Sequence, residues 1–138
     1  MSNNKTKTVK DLINTLDYKL VYKSKTEFVS QLSEIKDVID KIFPPLEYDV
    51  EELVEDMDGY TEYFFLIKNI KNGKTVKLRI ANSGVGSNNE DVYILRSKAS
   101  LIEGVNRAMK ILTAGKFIDA LNKIDEIRSQ FSNYYQKP

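Results

Sequence analysis

The stretch Leu46–Asn82, LEYDVEELVEDMDGYTEYFFLIKNIKNGKTVKLRIAN, decides the fold. It reads as three antiparallel strands joined by two tight turns. Asn72-Gly73 lies between two apolar runs, and an Asn-Gly pair adopts positive φ at both central positions of a type I′ turn at low cost. After it, Val76, Leu78 and Ile80 alternate with Lys77 and Arg79, the period of a half-buried strand. Before it, Tyr63, Phe64, Phe65, Leu66 and Ile67 run without a polar break, which predicts a central strand covered on both faces. Asp58-Gly59 marks the other turn. Upstream, Leu46, Tyr48 and Val50 alternate with Glu47, Asp49 and Glu51, and the phase slips at Glu51-Glu52, which predicts a bulge. Val50, Leu53, Val54 and Met57 also fit one face of a short helix with Asp49 as its cap, and the upstream alternation favours the strand.

Working outward on the N-terminal side, Val9, Leu12, Ile13 and Leu16 share one face of a short helix from about Thr8 to Leu16. Tyr18 to Lys23 read as an extended connector or a short edge strand. Ser24 and Glu27 form a capping box that opens a longer helix. Phe28, Leu32, Ile35, Val38, Ile39 and Ile42 form its apolar stripe, and Asp37 and Lys41 are spaced as an i, i+4 ion pair. Pro44-Pro45 ends this helix, because the residue before a proline is pushed out of the α region.

On the C-terminal side, Ser83 to Asp91 (SGVGSNNED) reads as a connector into a fourth strand, Val92 to Arg96. Gly84 and Gly86 do not lead into a helix, so they lack the converging N–H groups of a phosphate cradle. The acids and amides of this connector do not match the fixed spacing of an EF-hand loop. Ser100 and Glu103 predict a second capping box, and Leu101, Val105, Ala108, Met109 and Leu112 one apolar helix face. Gly104 within that helix marks a place of close packing on the sheet. Ala114-Gly115 breaks the helix, and Phe117, Ala120, Leu121, Ile124, Ile127 and Phe131 stripe another. The pattern Leu112-x-x-Gly115-Lys116-Phe117-x-x-Ala120-Leu121 resembles the helix junction of tetratricopeptide repeats over about ten residues. It occurs in one copy, and so implies a tight helix–helix turn rather than a repeat array.

These segments predict one α+β domain over residues 1–138, with polar tails at 1–7 and 134–138. Its centre is a four-stranded antiparallel β-meander at about 46–56, 60–70, 74–82 and 92–96, with an N-terminal helix pair and a C-terminal helical hairpin. The longer N-terminal helix is expected on one sheet face and the C-terminal hairpin on the other face or at one end. The predicted core is Phe28, Leu32, Ile35, Ile39, Phe64, Leu66, Leu78, Ile80, Leu101, Val105, Leu121 and Ile124.

Composition narrows the chemistry. The chain has no Cys and no His, which removes thiolate catalysis, disulfides, the commonest general base and the commonest transition-metal ligands. Paired acids such as Asp56 with Asp58, or Glu51 with Glu55, sit at a turn and on a solvated strand face, not in a desolvating cleft that would tune them for hydrolysis. The expectation is therefore no enzyme, no catalytic residue, no metal site and no cofactor. No apolar run is long enough to span a membrane, and MSNNKTKTVK lacks the apolar core of a secretory signal. With the absent cysteines, that predicts a cytoplasmic protein. Lys-, Asn- and Ile-rich usage suggests an AT-rich source, so a bacterial or phage-infected cell is expected, and an accessory or virion component within it.

Charge supplies the functional expectations. Net charge is +1, yet residues 44–67 hold eight acids and no base, while 68–138 are strongly basic. Such separation steers partners. Alternatively, the acids are the solvated face of one hairpin, neutralised by nearby lysines. The leading expectation is a protein-interaction or assembly protein that binds a partner, or itself, through an acidic patch of Glu51, Glu55, Asp56 and Asp58. The alternative is a single-stranded nucleic-acid binder that uses Lys74, Lys77, Arg79, Arg96, Arg107 and Lys110, with stacking by Tyr60, Tyr63, Phe65 and Tyr93.

Overall fold

The computed structural model describes residues 7–114. They form a mixed α+β structure built on an antiparallel sheet of five strands, one more than the four-stranded meander expected from sequence. In chain order the elements are α1 (Val9–Ile13), β1 (Val21–Tyr22), α2 (Lys25–Ile42), β2 (Tyr48–Met57), β3 (Tyr60–Asn69), β4 (Thr75–Val85) and β5 (Asp91–Leu95). A further helix, α3, occupies residues 98–114. The added strand is β1, from the segment that sequence left between connector and edge strand. It pairs with β5, giving the order β1-β5-β4-β3-β2. The middle strand is thus β4, and not the Tyr63–Ile67 run of β3. The second C-terminal helix, the Gly115 junction and the core positions Leu121 and Ile124 lie outside the described residues.

Local chemistry explains the elements. Thr8 and Asp11 form a reciprocal capping box on α1: the Thr8 hydroxyl accepts from the Asp11 N–H at 3.1 Å, and the Asp11 carboxylate from the Thr8 N–H at 3.2 Å. Those bonds hold the Asp11 carboxyl below its usual range. Ser24 caps α2 by accepting from the Glu27 N–H at 3.3 Å. The ion pair on α2 is Lys36–Asp40 at 3.1 Å, in place of the expected Asp37–Lys41. The α3 cap is Ser97, three residues earlier than the Ser100 box read from sequence. Its hydroxyl accepts from the Ser100 N–H at 3.2 Å, and its carbonyl receives the Leu101 N–H.

The β2–β3 hairpin runs in unbroken register from Tyr48↔Asn69 to Met57↔Tyr60, so the strand reading of Tyr48–Met57 holds and β2 carries no bulge. The register break falls instead between β3 and β4, where Tyr63 faces Ala81 and Phe64 faces Arg79. Ile80 is the extra residue, and Ile80 and Ala81 are consecutively buried, as a bulge allows. The apparent slip in β2 has another cause. Glu52 stays on the face of Val50 and Val54, at a sheet edge where it is exposed.

The Asn72-Gly73 turn is real but is not type I′. Gly73 has φ +76° and Asn72 does not have positive φ. Residues 70–73 make a four-residue loop closed by Asn69 N–H to Lys74 O and Gly73 N–H to Asn69 O, both at 2.8 Å. The asparagine side chains select this shape. Asn69 Oδ1 accepts from the Lys71 N–H, and Asn72 Oδ1 accepts from the Lys74 N–H. Both amides then donate to the Leu112 carbonyl of α3, at 3.0 and 2.9 Å. Ser83–Val85, expected in a connector, extend β4 and pair with β5, so the Gly84 backbone is committed to the sheet.

Both long helices lie on one face of the sheet. Phe28 of α2 stacks on Tyr93 of β5 at 4.8 Å and meets the edge of Tyr63 of β3 at 5.0 Å. From α3, Met109 Sδ receives the Tyr48 hydroxyl at 3.7 Å. A Cβ placed on Gly104 would come within 3.0 Å of Leu78 and 2.7 Å of the Arg96 guanidinium, so that glycine does mark close packing. The expected placement of the C-terminal hairpin, on the other face or at one end, is therefore corrected for its first helix, α3. The buried layer comprises Phe65, Ile67, Leu78, Ile80, Tyr93 and Leu95 beneath Phe28, Ile35, Ile39, Leu101, Val105 and Leu112. Phe64 and Leu66, placed in the core by sequence, point to the opposite face and are only half-buried. Leu32 is partly buried, packed against the core from its margin.

Candidate interaction surfaces

The face that α2 and α3 leave open carries an ordered pattern. Strand parity and register place Asp49, Glu51, Leu53, Glu55 and Met57 of β2 on it. Opposite them stand Lys68, Leu66, Phe64, Glu62 and Tyr60 of β3, followed by Thr75, Lys77, Arg79, Asn82 and Gly84 of β4. Leu53, Phe64 and Leu66 make an apolar middle, with acids towards the β2 edge and bases towards β4. Ile94 of β5 and Val21 of β1 share this face and are exposed, separated from that middle by Lys77, Arg79 and Asn82 of β4.

The predicted acidic patch is divided by this geometry. Glu51 and Glu55 lie on the open face. Asp56 has the opposite parity and accepts from the Thr61 hydroxyl at 3.1 Å, near the tip of the hairpin. Asp58 occupies the β2–β3 turn beside Gly59, whose φ is +87°. The acids of the open face meet bases of the same face: Lys77 Nζ reaches Glu55 at 2.7 Å, and Arg79 lies 3.9 Å from Glu62. Lys77 also sits 4.8 Å from the Phe64 ring centre. Such exposed pairs contribute little to stability, but they leave the face patterned rather than uniformly acidic.

The predicted basic set is divided too. Lys77 and Arg79 are on the open face, Lys74 closes the β3–β4 loop, and Arg107 and Lys110 are exposed on α3. Arg96 follows β5, half-buried, and donates to the Arg79 carbonyl at 3.1 Å. Burial, then the nearby Arg79 and Arg107 charges, lower its pKa from the usual arginine value. Arg107 is held by Glu103 at 3.0 Å. Of the four aromatics proposed to stack bases, Phe65 and Tyr93 lie buried under the helices and Tyr63 is half-buried; Tyr60 alone is exposed.

Sequence reasoning missed Leu53, Phe64 and Leu66 as surface residues. A signal was present. Acids at 49, 51 and 55 mark the solvated face of β2, and pairing through the Asp58-Gly59 turn carries that face to Leu66 and Phe64. Among the described residues no group of three or more acids or other ligating side chains is placed to hold a metal ion. No helix among them is long and apolar enough to cross a membrane. No protein-family model matches the chain, and neither the curated proteins nor the solved structures contain a match to it.

Proposed function

We propose that the chain is a non-enzymatic protein-interaction or assembly protein, working as a cytoplasmic or virion component in a bacterial or phage-infected cell. The observation that carries this reading is the open sheet face. Leu53, Phe64 and Leu66 form an apolar centre on it, rimmed by Glu51 and Glu55 on one side and Lys77 and Arg79 on the other. An apolar centre inside a charged rim is the layout of a protein interface, where the middle supplies affinity and the rim sets orientation.

The alternative, a single-stranded nucleic-acid binder, draws on one feature. Arg79 and Arg96 line a small cleft of about 190 Å³ with Asn82, and Arg107 is near enough to act on Arg96. Against it, Glu55 and Glu62 interrupt the basic residues of the open face, and Phe65 and Tyr93 are unavailable for stacking.

Two measurements test the reading together. Fluorescence anisotropy with labelled single- and double-stranded oligonucleotides, from low to physiological salt, is expected to show no tight binding. Tight binding that weakens steeply with salt would promote the alternative. Affinity capture from the native host with the full chain is expected to retain a protein. That protein is expected to be lost from a variant with Glu51, Glu55 and Asp58 changed to Lys. A complex that survives the change in modest salt would remove the acidic residues from the interface.

A further inference from the structure

β2 stands at the edge of the sheet, and among the described residues no strand pairs with its outer side. A ten-residue edge strand presents a row of backbone groups able to pair with another chain. The phase of that row follows from one bond. The Ile70 N–H donates to the Glu47 carbonyl at 3.0 Å, so the odd-numbered residues of β2 bond to β3. The N–H and C=O groups of Val50, Glu52, Val54 and Asp56 therefore point outward.

Beside this edge lies a cleft of about 470 Å³ between α2 and the helix-side face of β2, lined by Val29, Leu32, Ser33, Val54 and Tyr63. Val29 and Val54 are more than half exposed, at 51% and 56%. On its other side the edge shows Asp49, Glu51 and Glu55, and β2 holds five acids and no base.

We infer that β2 accepts an added strand from a protein partner, and that the incoming segment is extended, with alternating basic and apolar residues. Its backbone pairs with Val50, Glu52, Val54 and Asp56. Its apolar side chains face the cleft at Val29 and Leu32, and its Lys or Arg side chains lie beside Asp49, Glu51 and Glu55. A second copy of this chain is disfavoured as the occupant, because pairing β2 with β2 sets acids against acids. The inference rests on the protein-interaction reading and specifies its mode.

The probe is a synthetic ten-residue peptide of alternating Lys and Val, added to the full-length protein and followed by backbone amide NMR and hydrogen exchange. Binding is expected to protect the amides of Val50, Glu52, Val54 and Asp56 at least tenfold, and to weaken with salt. The same peptide N-methylated at alternate amides, and a Glu–Val version, are expected not to bind. Val54→Pro removes one outward N–H while leaving the β3 ladder intact, a position at which an edge strand tolerates proline. It is expected to lose at least tenfold in affinity. Asp49→Lys with Glu51→Lys, which reverses acids beside the incoming basic side chains and leaves the backbone unchanged, is expected to do the same. No binding at low salt, or binding that leaves the four amides unprotected, overturns strand addition. Equal affinity for the N-methylated peptide overturns it as well. A host protein still captured by Val54→Pro, without protection of those amides, would sink strand addition alone and leave the interaction reading standing.

Discussion

Residues 64–67 of β3 present similar side chains to the two faces of the sheet, in different surroundings. On β3, Phe65 and Ile67 point to the helices and are buried at 2% and 0% exposure, while their neighbours Phe64 and Leu66 point the other way and remain half-exposed. Hydrophobicity does not distinguish Phe64 from Phe65, or Leu66 from Ile67. What distinguishes them is which side α2 and α3 occupy. On β3 one parity is thus buried beneath the helices, and the equally apolar other parity is left half-buried on the face they do not occupy.

The largest effects should come from paired substitutions across that divide. Phe65→Ala is expected to cost about 3–5 kcal/mol, and Ile67→Ala about 2–5 kcal/mol, from the cavities left beneath the helices. Phe64→Ala and Leu66→Ala should each cost about 1 kcal/mol or less, since half-exposed side chains leave sites open to water. Urea unfolding of the four variants checks this. Equal losses for Phe64→Ala and Phe65→Ala would mean that the open face is covered in the folded protein.

The next effect concerns what holds α3 to the helix-bearing face. Asn69 is 5% exposed, and its amide joins that of Asn72 on the Leu112 carbonyl. Asn69→Ala should cost about 1–3 kcal/mol, because it removes one of the two donors to the Leu112 carbonyl and the acceptor of the Lys71 N–H. Asn72→Ala, at a half-exposed position, should cost less. Hydrogen exchange of α3 amides should report both losses locally before global unfolding does.

A pH series separates the faces by another route. The Tyr18 hydroxyl donates to the Arg96 carbonyl at 2.7 Å, and burial, with a smaller contribution from Tyr22, pushes its pKa up to about 12. The folded protein keeps this proton where the unfolded chain loses it, above about pH 10. Stability should therefore fall as pH rises from about 10 towards 12, and Tyr18→Phe should flatten that fall. Tyr48 and Tyr93, also raised by burial on the helix-bearing side, should keep part of it. The smallest effect belongs to the open face: Glu55→Gln should shift stability by no more than about 0.5 kcal/mol, because its pair with Lys77 is exposed. A larger loss in that variant would mean that the open face carries structure as well as contacts.

Much of this was legible in the chain. Both N-terminal helices, the hairpins and the apolar face of α3 follow from periodicity and turn chemistry. Seven predicted core residues, Phe28, Ile35, Ile39, Leu78, Ile80, Leu101 and Val105, are buried. The errors have physical causes. The Tyr63–Ile67 run is apolar on both parities, so its pattern cannot choose a face. The Asn72-Gly73 turn changed type because the Asn69 and Asn72 side chains bond within the loop and to α3, a partner forty residues away in sequence. The acidic patch split because Glu55 and Asp56 are adjacent in sequence and therefore on opposite faces of a strand.

The sequence by itself determined the type and order of most elements, because caps, turns and hydrophobic period act over a few residues. It also determined the acidic character of β2, since no base interrupts residues 44–67. Only the tertiary structure decided that both helices share one face, that β2 rather than β3 or β4 is an edge, and that Phe64 and Leu66 are half-buried on the face opposite the helices. Those outcomes depend on packing between segments far apart in the chain, where several arrangements satisfy the same local pattern and the burial of one whole layer selects among them.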